Sequence, residues 1–215
     1  MKKGFMLVCD GSNGAGKTTV IKAIEQYLQD KNLEVVLTRE PGGTIISEKI
    51  RKIILDPNTP EMCNITELML FGAARAQHIN EKIQPALDAG KIVISDRFDA
   101  ATFSFQHYAR GIDLATICKI NDLALDGFSP DMNIILDLDP KLGLERVKQR
   151  GEGLDRLEDE NLAFLEKARM GYLIQAKENP KKFTVIDASQ SPSKVAELVM
   201  DTVEKLLQDQ AVNLS

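Results

Sequence analysis

Residues 11–18 read GSNGAGKT, with Gly11, four residues, then Gly16, Lys17 and Thr18. Glycines at this spacing let successive backbone N–H groups turn toward a phosphate. The lysine is then placed to reach the outer phosphates of a nucleoside triphosphate, and the hydroxyl to ligate Mg²⁺. The phosphate-binding loop so predicted comprises Gly11, Ser12, Asn13, Gly14, Ala15, Gly16, Lys17, Thr18 and Thr19. Its variable positions Ser12, Asn13 and Ala15 bring no positive charge, so Lys17 is its one cation. Phosphoryl transfer spreads negative charge over three oxygens, and more cations than one are needed to meet it.

Candidates for that charge lie elsewhere in the chain. Asp96 and Arg97 end the apolar run KIVISDR; the carboxylate is placed to hold Mg²⁺ with Thr18, and the guanidinium to grip an anion in a bidentate fork. Asp137 and Asp139 in LDLDP compete for the metal role, although a helix after Asp139 makes it equally a capping residue. Arg39 in TREPGGT closes a second apolar run and points to the same edge. Phe71 and Arg75 are four residues apart, hence on one helix face, where a ring can stack on a base and a guanidinium can bond its edge. Taken singly, Phe71 reads as core and Arg75 as a solvated surface charge. Phe98, Phe105 and Gln106 follow closely on Arg97. The charged segment RVKQRGEGLDRLE carries Arg146, Arg150 and Arg156 around Gly151 and Gly153, and reads as a mobile lid over about residues 146–158. An arginine delivered by such a lid is a common way to neutralise a transferring phosphoryl group, although interspersed Arg and Glu also fit a solvated helix.

These groups converge only if the chain forms an open α/β sheet. Five apolar runs, FMLVCD, EVVLTR, KIVISD, MNIILDLD and KFTVID, alternate with segments of helical period. That alternation predicts a five-stranded parallel sheet covered by helices on both faces, with the strand ends presenting the candidates at one edge. Val20, Ile21, Ile24, Tyr27 and Leu28 mark the first helix, and a long helical pattern covers about 61–88. A length of 215 residues fits one domain over 1–215. Hydrophobic residues make up 43% and charged residues 27%, an ordinary globular balance. A net charge of −5 argues against non-specific nucleic-acid binding. The three cysteines, Cys9, Cys63 and Cys118, suit neither a disulfide framework nor a zinc site. No stretch is long and apolar enough for a membrane span, and a cytoplasmic protein is expected.

Along nearly its whole length the sequence resembles the thymidylate kinases, in the bacterial form with helper arginines outside the phosphate loop. The resemblance rests on GSNGAGKTT, TREPGGT, LFGAAR, SDRFDAATFSFQ, ARGID, RGEGLDRLE and IDASQS, in that order. It implies a P-loop kinase fold and transfer of phosphate from ATP to dTMP, with Mg²⁺, in a homodimer. It also implies that Arg39 and Arg97 hold the dTMP phosphate, that Phe71 stacks on thymine and that Arg75 bonds a thymine carbonyl. Thr102 and Gln106 match positions lining the thymidine pocket, and ATP would lay its adenine near Ala188, Ser189 and Gln190. The lid arginine of LDR, Arg156, matches one that reaches the donor phosphates. Asn13 stands where the family usually has a carboxylate for the acceptor 3′-hydroxyl, Phe105 where it has a tyrosine against the sugar, and Ala101 where it has a serine. These changes leave open a kinase for another nucleoside monophosphate such as dUMP or UMP. A regulatory P-loop switch would carry an Asn-Lys-x-Asp segment, and the sequence contains none.

Overall fold

The computed structural model describes residues 4–149, 156–158 and 160–212, the side chains as far as 209. Its sheet contains β1 (Met6–Gly11), β2 (Val35–Arg39), β3 (Ile92–Asp96), β4 (Met132–Asp137) and β5 (Phe183–Asp187), all parallel, in the order β2-β3-β1-β4-β5. The expected five strands and the coverage of both sheet faces are therefore present. β1 is buried at all six positions because both of its faces are covered, which is why it reads as a continuous apolar run.

The two-residue period of the strands divides the core. Leu7, Cys9, Ile94, Ile134 and Leu136 point to the face covered by α1 (Lys17–Asp30) and α9 (Pro192–Val212), where Ile24, Leu28, Val199 and Val203 meet them. Met6, Val8 and Val93 point to the opposite face and pack on Ile79, Ile83 and Leu87. A third cluster joins Ile135 to Phe105, Phe164, Leu165 and Tyr172.

Between β2 and β3 lie α2 (Ile45–Ile54) and a helical stretch made of α3 (Asn64–His78), a π-helical turn at Ile79–Ile83 and α4 (Gln84–Asp88). The helical pattern expected from about residue 61 starts three residues later, at Asn64, after an extended Cys63. After β3 come α5 (Asp99–Thr102), a second π-helical turn (Phe103–Ala109) and α6 (Leu114–Leu125). α7 (Pro140–Lys148) and α8 (Leu162–Glu178) flank the expected lid. Of that lid, 146–148 end α7, Gln149 caps it and 156–158 form a turn, whereas Arg150, Gly151 and Gly153 lie outside the described residues.

The register aligns the carboxyl ends of the strands. Cys9 pairs with Asp96, Arg39 with Asp96, and Gly11 with Leu136. Because β1 lies between β3 and β4, the loop leaving β1 opens where chain connections diverge to either side, the usual binding crevice of open α/β sheets. Two glycines have no substitute there. Gly11 has φ 122°, and a Cβ on it would lie 2.2 Å from the Leu136 carbonyl oxygen; Gly14 has φ 74°, and its Cβ would lie 2.4 Å from that of Gly143.

Candidate active site

The phosphate loop delivers Lys17 as the first residue of α1, and Gly16, in the left-handed region at φ 92°, makes the turn into that helix. The Lys17 Nζ donates to the carbonyl of Ser12 at 3.0 Å and to that of Gly11 at 3.4 Å, so the amine lies within the loop it serves. The Ser12 hydroxyl donates to the Leu138 carbonyl, which fastens the loop to the end of β4. Thr18 and Thr19 are exposed in the first turn of the helix. Thr18 and Asp96 line the same cavity, of about 270 Å³, together with Lys17 and Asn13. Two oxygen donors, one of them anionic, suit Mg²⁺, which takes one or two protein ligands and completes its octahedron with water and phosphate oxygens. No cluster of three or more His, Cys, Asp or Glu side chains that could hold a metal by itself occurs among the described residues. The rival carboxylates are committed elsewhere. Asp137 accepts two hydrogen bonds from Arg169, at 2.6 and 2.8 Å, and Asp139 caps α7 by accepting from the Lys141 N–H.

Arg97 follows β3 with φ 67° and turns its guanidinium back over the loop. One terminal nitrogen, Nη1, lies 2.8 Å from Asp10 Oδ1 and 2.9 Å from both the Gly11 carbonyl and the Tyr172 hydroxyl; Nη2 donates to Asn13 Oδ1. The guanidinium stands over the Phe105 ring, 5.3 Å from its centroid. Asp10 is fully buried, and its Oδ1 also accepts from the Tyr172 hydroxyl at 2.6 Å. Burial, reinforced by the Asp10 charge, pushes the Tyr172 phenol well above its ordinary pKa, so it remains a neutral donor. The arginine is thus held at the cavity wall by a carboxylate, a carbonyl, a phenol and an amide.

Arg39, at the exposed end of the edge strand, pairs with Glu48 through Nε at 3.3 Å and Nη2 at 3.0 Å, and lines the same cavity. Sequence reasoning missed Arg51, which also lines it and donates to the Pro41 carbonyl at 2.8 Å. It lies on α2 about two turns beyond REPGGT, and because Lys49, Arg51 and Lys52 face several ways, helical period does not single it out.

Phe71 is half-buried and lines the cavity with Arg75 and Gln106, as their spacing requires. Arg75 differs from the surface charge its type alone suggests. It is 1% exposed, with Nε 2.9 Å from Glu40, Nη1 2.6 Å from Asn121 and Nη2 3.0 Å from the Thr102 hydroxyl. Burying an ion pair costs desolvation energy that attraction between the charges does not always recover, so its value here is orientation of the guanidinium. Glu40 is itself bonded to His78, which meets the Thr38 hydroxyl at 2.6 Å. Phe105 is 8% exposed and packs on Phe164 and Tyr172, and Ala101 contributes to the cavity wall.

The lid arginines are distributed differently from the expectation. Arg156 donates from Nε to the Ile54 carbonyl at 2.8 Å and from Nη2 to Glu67, which ties the turn to α2 and α3. Its reach toward the donor phosphates is therefore not the arrangement seen. Of the two lid arginines among the described residues, Arg146 is the one against the phosphate loop, donating to the Gly14 carbonyl at 3.3 Å. Leu157 and Glu158, beside Arg156, line the cavity. Ala188, Ser189 and Gln190 form a turn after β5, two strands from β1; Ser189 and Gln190 bond to Asp187, and none of the three lines the cavity.

The sequence matches the family model described as thymidylate kinase over residues 9–199. It is 46% identical over 207 residues to the thymidylate kinase of Geobacillus sp. (strain WCH70), covering 94% of this chain and 99% of that one. It is 42% identical over 200 residues to that of Clostridium novyi (strain NT), covering 93% and 98%. The fold superposes on the crystal structure of thymidylate kinase from Ehrlichia chaffeensis with a TM-score of 0.75 at 32% identity, covering 94% of this chain and 99% of that one. A loop, strand edge and arginine set built in this order, in a chain matched nearly end to end, leave one assignment: the chain belongs to the thymidylate kinase family.

Proposed function

We infer that the protein transfers the γ-phosphoryl group of ATP to the 5′-phosphate of dTMP, giving ADP and dTDP. The observation that carries this reading is that one cavity is lined both by the phosphate-loop residues Lys17 and Thr18 and by Phe71, Arg75 and Gln106. A hydrolase needs room for water beside its nucleotide; a cavity with a second, aromatic and arginine-lined portion suits a second nucleotide.

The donor triphosphate lies along Gly11–Thr19, with Lys17 on its outer phosphates and its adenine toward Ala188, Ser189 and Gln190. Thr18 and Asp96 would hold Mg²⁺, which would supply positive charge to offset that on the phosphate oxygens. Arg39 and Arg97 hold the acceptor phosphate, and Arg97 can do so because Asp10, Tyr172 and Asn13 fix its plane. Phe71 stacks on the base and Arg75 donates to one of its carbonyls, while Thr102, by accepting from Arg75, fixes that donor. Phe105 closes the sugar side. Exclusion of water by the lid confines transfer to the acceptor.

We also propose that two copies associate through α2, α3 and α6. Ile46, Ile53, Ile65, Met69 and Leu123 are 46–80% exposed on these helices, and α3 packs against both of the others. No helix among the described residues is long and apolar enough to cross a membrane, and the protein is read as a cytoplasmic enzyme.

Acceptor competition tests the reading. With ATP and Mg²⁺, dTMP should exceed dUMP, UMP, dCMP and dGMP in kcat/KM. A better turnover of any of these overturns the assignment of the acceptor.

A further inference from the structure

Glu67 lies on α3 one turn before Phe71 and two before Arg75, and is 1% exposed. Its Oε1 accepts from Gln106 Nε2 at 2.9 Å and from Arg110 Nε at 3.2 Å; its Oε2 accepts from Arg110 Nη2 at 3.1 Å and from Arg156 Nη2. Four donors from three residues, two of them in the π-helical turn and its cap and one in the lid turn, thus meet on one carboxylate. Arg110 also pairs with Glu160 and lies 4.6 Å above the Phe164 ring, so the start of α8 joins the assembly.

A carboxylate that is ionised only accepts hydrogen bonds. The side-chain amide of Gln106 must therefore turn its NH₂ toward Glu67, and the acceptor it can offer the cavity is its carbonyl oxygen. Glu67 is kept ionised: burial raises its pKa, but the hydrogen bonds from Arg110, Gln106 and Arg156 and the charge of Arg110 outweigh that and leave it below the ordinary carboxylate value. Arg75, on the same cavity, contributes only donors. A donor beside an acceptor matches the edge of a pyrimidine that carries a carbonyl and an adjacent ring N–H. It mismatches cytosine, which presents an amine and a bare ring nitrogen at the same two places.

We propose that Glu67 is a specificity-determining positioning residue: by accepting from Gln106 it fixes which atom that amide presents to the base, and by holding Arg156 it seats the Leu157–Glu158 turn on the same cavity. Selection of thymine over cytosine and placement of the lid turn then share one anchor. The proposal rests on the reading that the acceptor base lies against Gln106.

Three variants test it with dTMP and dCMP as competing acceptors. In Glu67→Asp the carboxylate retreats by one methylene but keeps the buried charge that the two arginines require. In Glu67→Gln the side-chain length is kept and the charge is removed, so either orientation of the Gln106 amide becomes acceptable. Gln106→Leu removes the reading group and leaves Glu67 with both arginines. The expected result is that the dTMP-to-dCMP ratio of kcat/KM falls about tenfold in each Glu67 variant, the size of one reoriented buried hydrogen bond. KM for dTMP should rise and KM for ATP remain unchanged. If Glu67→Gln does not fold, Glu67→Asp decides. A collapsed ratio in Gln106→Leu with an unchanged ratio in the folded Glu67 variants overturns the proposal. An unchanged ratio in Gln106→Leu overturns instead the placement of the base, and the proposal with it.

Discussion

Asn13 Oδ1 accepts a hydrogen bond from Arg97 Nη2, which ties the phosphate loop to the residue following β3. In sequence, Asn13 stands where the family usually has a carboxylate for the acceptor 3′-hydroxyl, and it keeps one oxygen of that group without the charge. That oxygen is taken by Arg97, and the amide NH₂ is what remains. Asn13→Asp restores a second oxygen while the first keeps Arg97. Discrimination for dTMP over its 3′-deoxy analogue should then rise about tenfold, as for one added charge-assisted bond. Unchanged discrimination in acceptor kinetics would mean that residue 13 does not meet the 3′ position.

Phe71 gives a separate test of the acceptor site. Replacing it by alanine should weaken dTMP binding by about 1 to 3 kcal/mol if the ring is a stacking platform. ATP binding, measured calorimetrically, should stay the same. Equal loss for both nucleotides would identify the ring as a core residue.

The placement of Arg146 and Arg156 predicts a division of labour between lid arginines. Arg146 touches the Gly14 carbonyl, whereas Arg156 is bound to Glu67 and Ile54. Arg146→Ala should lower kcat by about 10³-fold, as when an arginine that meets phosphoryl charge is removed, with little change in KM for dTMP. Arg156→Ala should act mainly on KM for dTMP. The reverse pattern in steady-state kinetics would return Arg156 to the transferring phosphate and require the lid to leave Glu67 during turnover.

A pH-dependent test concerns Asp99, at the start of α5. Burial raises its pKa above the ordinary 3.8, and the charges of Glu40 and Asp10 add to this against the opposing effect of Arg75. Its Oδ1 has no hydrogen-bond partner. The folded protein therefore retains this proton after the unfolded chain has lost it. Stability from this group is fully present below about the unfolded value and is lost as pH rises through the folded one. Asp99→Asn should melt higher than the parent at neutral pH, and the gain should disappear in acid. A gain that persists unchanged at pH below 3.8 would contradict the raised pKa.

The extent to which sequence revealed this site follows the range of the interactions. The phosphate loop was legible because its glycines answer to local backbone geometry, and the five strands because a sheet covered on both faces demands uninterrupted apolar runs. The common face of Phe71 and Arg75 followed from helical period. The burial of Arg75 did not, since it depends on Glu40 and Asn121, 35 and 46 residues away in the chain. Glu67 was missed for the same reason: as a charge in TELMLFGAAR it reads as solvated, and its partners Arg110 and Arg156 are 43 and 89 residues distant. A signal was nevertheless available, because Glu67, Phe71 and Arg75 recur every four residues and hence share one face of α3. Arg156 was assigned from lid context and from the resemblance of LDR, and neither carries its contacts with Ile54 and Glu67, which lie 102 and 89 residues away.

The most direct measurement follows products after the protein is mixed with ATP, Mg²⁺ and dTMP, with ADP and dTDP separated chromatographically. The predicted result is equimolar ADP and dTDP, negligible ADP when dTMP is omitted, and loss of both products in Lys17→Ala. ADP released with inorganic phosphate at a rate independent of dTMP would contradict phosphoryl transfer between nucleotides.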